Sequence, residues 1–159
     1  ATAMGTEKPN LFYAVKTTTQ TPLTPSGVRI IIFEDDTTAP NFDNSNLFHT
    51  DRFVSETIME CAFALEQVIV KQAANAADTY RLRILKNGVE IATTGTIVAN
   101  ADKDAYGSKV TDAGGYNFPS LVTTRISLVA NDYVTAELVN VQVGSGVITI
   151  TAGKFSNAI

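Results

Sequence analysis

The stretch that most constrains the fold is YRLRILKNGVEIATT, residues 80–94. Its central Asn-Gly pair lies between two apolar segments, which is the strongest short-range signal for a β-hairpin. A type I′ turn needs positive φ at both central residues, and Asn87 tolerates this conformation while Gly88 adopts it freely. The sequence therefore predicts two antiparallel strands joined at Asn87 and Gly88.

The turn also predicts the register of the two strands. The expected pairs are Lys86 with Val89, Ile84 with Ile91, and Leu82 with Thr93. One face then carries the apolar side chains of Tyr80, Leu82, Ile84, Val89 and Ile91. The other face carries Arg81, Arg83, Glu90 and Thr94. A hairpin sorted in this way is typical of a sheet with one face against a core.

Short β-type segments separated by turn residues make up most of the remaining chain. VRIIIFED, residues 28–35, contains a continuous apolar run typical of a strand covered on both faces. LVTTRISLV, residues 121–129, alternates between apolar and polar positions. In YVTAELVNVQV, residues 133–143, the alternation changes phase, which predicts a β-bulge near Leu138. These patterns indicate an all-β fold.

The segment 55–78 allows two interpretations. Ile58, Ala62, Leu65 and Ile69 recur at helical spacing, and Ser55 is a suitable N-cap. Residues 63–70 also alternate as a strand would, although both strand faces are mixed. Periodicity alone leaves helix and strand open here.

Length and charge limit the kind of protein. With 159 residues the chain is expected to form one domain, residues 1–159, in which residues 1–8 are a flexible start or a cloning remnant. The net charge of −4 argues against a nucleic-acid partner, because such proteins usually present a basic patch. The apolar runs are too short to span a bilayer, so membrane insertion is not expected.

Few residues suggest catalysis. His49 is the only histidine, and its neighbour Asp51 is read as a polar loop residue because no nucleophile motif accompanies the pair. Cys61 lies in an apolar stretch and is expected to be a small buried residue. We therefore predict no catalytic residues and a non-enzymatic protein; the enzymatic alternative requires His49 and residues 34–36 to converge in one cleft.

One cation site is suggested by the acidic residues. Glu34, Asp35, Asp36 and Asp43 supply the hard oxygen ligands that Ca²⁺ takes from loops. Their order does not follow the EF-hand spacing. Calcium is the one candidate cofactor.

Four motifs, in order, resemble the globular head of the complement C1q and tumour necrosis factor superfamily, over residues 41–159 and more loosely over the first two strands. The motifs are MECAF after Phe53, LRILKNGVEI, RISLVANDYVTAEL and the final FSNAI. Met59 and Cys61 stand where the family has Gly and Tyr, while Phe63 matches the family's Phe. Asn131 replaces a Gly, and Asn157 and Ala158 depart from the family's ending. The resemblance favours strand for 55–78.

The resemblance implies a two-sheet antiparallel jelly-roll sandwich that assembles as a homotrimer with its last strand at the centre. It would place Tyr13 and Phe155 around the three-fold axis; the alternative is that both residues complete the core of their own chain. A non-enzymatic recognition module at the tip of a fibre or stalk is then expected, extracellular or on a virion or bacterial surface.

The expected partners are copies of the chain itself and a cell-surface protein or glycan. The loop from Tyr106 to Tyr116 is the predicted ligand-binding segment. The alternative function is purely structural: a virion-decorating or fibre-capping protein without a soluble ligand.

Overall fold

The computed structural model describes residues 11–16, 18–20, 28–33, 42–43, 47–49, 51–72, 79–98, 115–142 and 148–158. Within these ranges the regular structure is entirely β. The strands are β1 Phe12–Lys16, β2 Val28–Ile30, β3 Phe42–Asp43, β4 Phe48–His49, β5 Arg52–Val54, β6 Met59–Gln72, β7 Thr79–Lys86, β8 Val89–Thr93, β9 Ile97–Val98, β10 Gly115–Asn117, β11 Leu121–Val122, β12 Ile126–Leu128, β13 Tyr133–Gln142 and β14 Ile148–Ala158. The described ranges hold no helix with the length and apolar character that crossing a bilayer would require.

The strands form two antiparallel sheets that pack face to face. The first sheet has the order β10-β6-β14-β1-β3, and β11 and β12 also pair with β6. The second has the order β4-β5-β13-β7-β8, with β2 on β13 and β9 on β7. The predicted fold class, an all-β antiparallel two-sheet sandwich of jelly-roll type, is confirmed. The homotrimer stays a prediction.

Alternating side chains from both sheets fill the space between them. At the centre lies a cluster of six phenylalanine rings, with centroid distances from 4.7 Å for Phe12 and Phe48 to 6.3 Å for Phe33 and Phe48. The six members are Phe12, Phe33, Phe48, Phe53, Phe63 and Phe155, and each is at most 3% exposed. Offset and edge-to-face ring pairs contribute about 0.5–1.5 kcal/mol each beyond the burial of their area. The cluster therefore joins the two sheets into one core.

The segment whose state the sequence left open contains strand β6, so the helical alternative is wrong for residues 59–72. Residues 73–78 lie outside the described residues. Gln67 has a φ of 51° and interrupts the alternation. Before it Phe63 and Leu65 face the core, and after it Val68 and Val70 do. This change of phase explains why both predicted strand faces were mixed.

The hairpin turn is confirmed, but its register is only partly as predicted. Asn87 and Gly88 have φ of 51° and 81°, and Lys86 pairs with Val89. Beyond that pair the register shifts, so that Ile84 faces Ala92 instead of Ile91. Because β8 lies at the sheet edge, the bulge leaves Val89 and Ile91 outside the core, at 66% and 36% exposure. Their predicted place on the buried face is wrong.

The bulge expected in β13 lies farther along the strand than predicted. The pairing of β13 with β7 is regular through Leu138, which is fully buried, and the register shifts between Asn140 and Gln142. The position near Leu138 is therefore wrong by a few residues. Leu138 instead continues the inward row of Val134 and Ala136.

The sandwich has two distinct ends. At one end β1 begins beside the end of β14, where the Phe12 amide donates to Asn157 Oδ1 at 2.9 Å and Ala158 pairs with Ala62 of β6. At the other end, Asn117 of β10 pairs with Val70 of β6. The first and last described strands therefore lie side by side, with neighbouring ends.

Candidate functional site

The outer face of the first sheet carries small and apolar side chains along its middle, flanked by charged residues that include the Arg125–Glu60 pair at 3.7 Å. The cross-strand register places Tyr13 opposite Ser156, Ser156 opposite Ala64, and Ala64 opposite Val122. We call this line of four residues the small-residue row. Directly paired side chains point to the same face of a sheet, so the row crosses β1, β14, β6 and β11 in succession. It forms a surface without bulky charged groups at its centre.

Beside the small-residue row lies an open groove with a volume of about 640 Å³. Its lining residues are Val15, Lys16, Gln67, Ile69, Phe118, Ala152, Gly153 and Lys154. The groove coincides with irregular pairing of β6 and β14: the register shifts between Ile150 and Ala152 and again between Ala152 and Lys154. Bulges bend strands and increase twist, which accounts for a concave surface at this point.

Two lysines border the groove in different ways. Lys16 is only 4% exposed, and its Nζ donates to Gln20 Oε1 at 3.1 Å and to the Ile32 carbonyl at 2.9 Å. Gln20 in turn donates to the Ile30 carbonyl at 2.7 Å, so Lys16 is held in a network with the segment that follows β2. Lys154 lies over the outer face, with Nζ 5.6 Å from the centroid of the Tyr13 ring. Of these two lysines, only Lys154 has its charged amine on the outer face of the first sheet.

The outer face of the second sheet is charged. Arg83 pairs with Glu137 at 2.7 Å and lies 3.8 Å from Glu90, which also pairs with Arg81. Arg52 lies 5.2 Å from the centroid of the Tyr133 ring. Its pKa is raised above the ordinary value, chiefly by the side-chain hydrogen bond to Asp51. On this face, charged side chains of neighbouring strands therefore form ion pairs with each other.

Three turns meet at the end of the sandwich where β1 begins; we call them the triple-turn cluster, residues 55–58, 87–88 and 129–132. Ser55 donates its amide to the Asp132 carbonyl at 2.8 Å, and the Asn87 amide donates to the Tyr133 carbonyl at 2.8 Å. Each turn, or the residue that follows it, carries a large exposed apolar side chain: Ile58 at 83%, Val89 at 66% and Val129 at 53%.

Several predicted site residues cannot be placed. Residues 34–36 and Tyr106 lie outside the described residues. Asp43 and Tyr116 belong to β3 and β10, but their side chains are likewise outside what the structure describes. The calcium site and the ligand-binding loop therefore stay predictions. Among the described residues, no three His, Cys, Asp or Glu side chains are grouped closely enough to hold a metal ion.

Tyr13 and Phe155, the two predicted trimer-interface residues, lie on opposite faces of the first sheet. Phe155 is 1% exposed and its ring lies 5.2 Å from that of Phe12, within the core of its own chain. For Phe155 the structure favours the alternative that it completes this core. Tyr13 is half-buried on the outer face, and its role in a trimer stays a prediction.

The residues considered for catalysis do not form a common arrangement in the described structure. His49 is exposed on β4, while Asp51 binds Arg52 at 3.1 Å. Cys61 is fully buried, as predicted, and burial raises the pKa of its thiol. Asn157 Nδ2 approaches the Cys61 sulfur at 3.8 Å. A thiol in such surroundings is an inert core group.

Sequence reasoning missed a second, smaller cavity. It has a volume of about 160 Å³ and is lined by Tyr80, Ile97, Asn117, Phe118 and Pro119; we call it the Tyr80 pocket. Tyr80 was assigned only to the apolar face of the hairpin. The one available signal was a tyrosine, with its polar hydroxyl, in a row of aliphatic core residues.

Comparison with known proteins gives structural similarity only. No protein-family model matches the chain, and no curated protein matches it. The chain is similar to the globular domain of zebrafish complement 1qA protein, with a TM-score of 0.45, 14% identity, and coverage of 94% of this chain and 95% of that one. It is also similar to part of dimeric latent PorU from Porphyromonas gingivalis, with a TM-score of 0.41, 12% identity, and coverage of 98% of this chain and 13% of that one.

Proposed function

We propose that the chain is a non-enzymatic recognition module that assembles as a homotrimer through the outer face of its first sheet. The single observation that carries this proposal is the contrast between the small-residue row, which holds no charged side chain, and the outer face of the second sheet, which is laced with ion pairs. The module is displayed at the tip of a fibre or stalk on a virion or bacterial surface, where it binds a cell-surface protein or glycan.

The small-residue row supports assembly on physical grounds. Covering apolar surface contributes about 25 cal/mol per Å², whereas covering the arginines of the second sheet would remove charges from water. Ala64 and Ser156 let a neighbouring chain approach closely, while Tyr13 and Val122 offer larger apolar groups on either side. A second and a third copy of the chain cover this row in the proposed assembly.

Trimeric display supports recognition rather than chemistry. Three identical weak sites that engage one surface raise the overall affinity without any new contact. The four motifs that resemble the C1q and tumour necrosis factor heads add support from the sequence. Loops at one end of the sandwich are then sufficient to bind a ligand.

The triple-turn cluster favours a second candidate function. Ile58, Val89 and Val129 are exposed apolar side chains on or next to turns that are hydrogen-bonded to each other, and none of them belongs to the small-residue row. Exposed apolar patches mark contact sites for other proteins. This observation favours the structural alternative, in which the chain decorates a virion or caps a fibre.

Sedimentation of a matched pair of variants tests the assembly. Val122 and Val28 are exposed valines in short strands of the first and second sheet, at 64% and 51% exposure. The wild type should sediment as a trimer. Val122→Glu should weaken the trimer about 100-fold or more, because an unpaired charge would be buried, and Val28→Glu should leave it intact. A wild type that sediments as a single 17.0 kDa chain would overturn the proposal.

A glycan array probed with the trimer separates the two candidate functions. Binding to a defined set of glycans supports recognition. A blank array, together with binding of the trimer to purified virion or fibre protein that is lost in Ile58→Ser, would favour the structural alternative.

A further inference from the structure

We propose that the Tyr80 pocket binds a single sugar ring at the end of a glycan. This inference rests on the proposed recognition function and names its ligand class. The pocket lies between the two sheets at their margin, since Ile97 of β9 pairs with Tyr80 in the second sheet while Asn117 belongs to the outermost strand of the first.

The hydroxyl of Tyr80 is the first observation that points to a ligand. Tyr80 is fully buried, and its hydroxyl has no hydrogen-bond partner among the residues that the structure describes. Buried polar groups are nearly always paired, so an exception calls for a partner from outside the chain. Burial raises the pKa of Tyr80, which keeps the hydroxyl protonated and able to donate.

The size of the pocket favours more than one water molecule. Its volume of about 160 Å³ is about five times the volume that one water occupies in the liquid. A single water would satisfy the Tyr80 hydroxyl but would leave most of this space to solvent. A six-membered ring with hydroxyl groups fills such a space and also supplies a partner for the hydroxyl.

The lining side chains match a sugar ring, which has polar hydroxyl groups and an apolar C–H face. Tyr80 offers a hydroxyl, a group that binds sugar hydroxyls, and the polar Asn117 lines the pocket with it. Ile97, Phe118 and Pro119 offer apolar surface, and Phe118 is 46% exposed. An exposed aromatic ring at the mouth of a pocket can stack against the C–H face of a sugar. The predicted ligand-binding loop ends at Tyr116, next in sequence to this lining.

Titration of the full ¹⁵N-labelled chain with the methyl glycosides of glucose, galactose, mannose and N-acetylglucosamine tests the proposal by NMR. At least one glycoside should give saturable shifts in the amide signals of Ile97, Asn117 and Phe118. Tyr80→Phe, which removes only the hydroxyl, should raise the Kd about three- to tenfold. Phe118→Ala should raise it at least about fivefold, because the stacking surface is lost.

Two controls separate binding from structure. Ile69→Ala alters the groove without touching the Tyr80 pocket, so the Kd should not change. The unfolding midpoint of Tyr80→Phe should equal or exceed that of the wild type, because a buried hydroxyl without a protein partner is removed.

Two results would overturn the inference. One is the absence of saturable shifts with all four glycosides. The other is an unchanged Kd in Tyr80→Phe, which would mean that a buried water alone serves the hydroxyl. Sedimentation of the same samples distinguishes the two proposals. A trimer that binds no sugar would contradict only this inference. A single chain that binds sugar would contradict only the trimeric assembly.

Discussion

The outer faces of the two sheets follow the same alternation but present different chemistry. On the second sheet, Arg83 lies against Glu137 of the neighbouring strand, with a distance of 2.7 Å. On the first sheet, the residues opposite each other across strands are Ala64 and Ser156, flanked by Tyr13 and Val122. The charges at the middle of the second face pair with each other, whereas the first face has its ion pair of Glu60 and Arg125 to one side of the small-residue row.

This difference shows which outer face another chain can cover with a small desolvation penalty. Covering the partly exposed ion pairs of the second sheet would remove their remaining contact with water, which carries a large desolvation penalty. The small-residue row, with its alanine, serine, valine and tyrosine, holds no charge and so carries no such penalty. The contrast therefore supports the proposed assembly through the first sheet rather than the second.

The largest effect is expected where the first sheet meets the core. Phe155→Ala should lower the free energy of unfolding by about 3–5 kcal/mol, because it removes a fully buried ring. Tyr13→Ala, on the outer face of the adjacent strand, should cost only about 1 kcal/mol. Urea unfolding of both variants as single chains, at a concentration below that at which the trimer forms, measures the difference. Equal losses would mean that Tyr13 belongs to the core, and the apolar outer face would shrink accordingly.

A smaller effect is expected from removing one charge from the outer face of each sheet. Glu137→Gln leaves Arg83 largely buried beside a neutral group and should cost about 2 kcal/mol. Lys154→Gln loses only the contact of an amine with the Tyr13 ring and should cost about 0.5–1 kcal/mol. Chemical denaturation at low salt compares them. If Lys154→Gln were the more damaging change, the first sheet would depend on charge as much as the second.

The smallest effect is expected for the loss of stability at low pH. The pKa of Asp132 is held below its ordinary value of 3.8, first by the amide of Val129 and then by the side chain of Asn87. A lowered pKa in the folded state stabilises the fold above the ordinary value, and this stability is lost as the pH falls through the folded value. Asp132→Asn should therefore destabilise the chain at about pH 7 but no longer at about pH 2.

The measurement for Asp132 is the urea midpoint of wild type and variant across this range. A difference that stays constant down to the lowest pH would show that the carboxylate contributes through its shape alone. The triple-turn cluster would then be held by its backbone hydrogen bonds rather than by this charge.

Local chemistry made part of the fold predictable. The turn at Asn87 and Gly88 follows from φ preferences that two residues carry by themselves, and the structure has positive φ at both. The burial of Cys61 likewise followed from its apolar neighbours. By contrast, the displaced pairing of Ile84 depends on a bulge in an edge strand, which no two-residue signal encodes.

Non-local pairing explains what the sequence could not provide. Residues 59–72 carry both helical and strand periods, and only the strands on either side of β6, together with the bulge at Gln67, decide between them. The small-residue row joins residues from four strands, so it exists only once their registers are known. The Tyr80 pocket depends in the same way on how the margins of two sheets meet.

The neighbouring ends of β1 and β14 give the molecule a polarity. Phe12 and Ala158, the outer ends of the first and last described strands, lie at the same pole of the sandwich, next to Ala62. Val70, and with it Asn117, lies about 25 Å farther along β6 at the ordinary rise of a strand. A tether, label or solid support can therefore be grafted at one pole while the cavity at the other pole stays accessible.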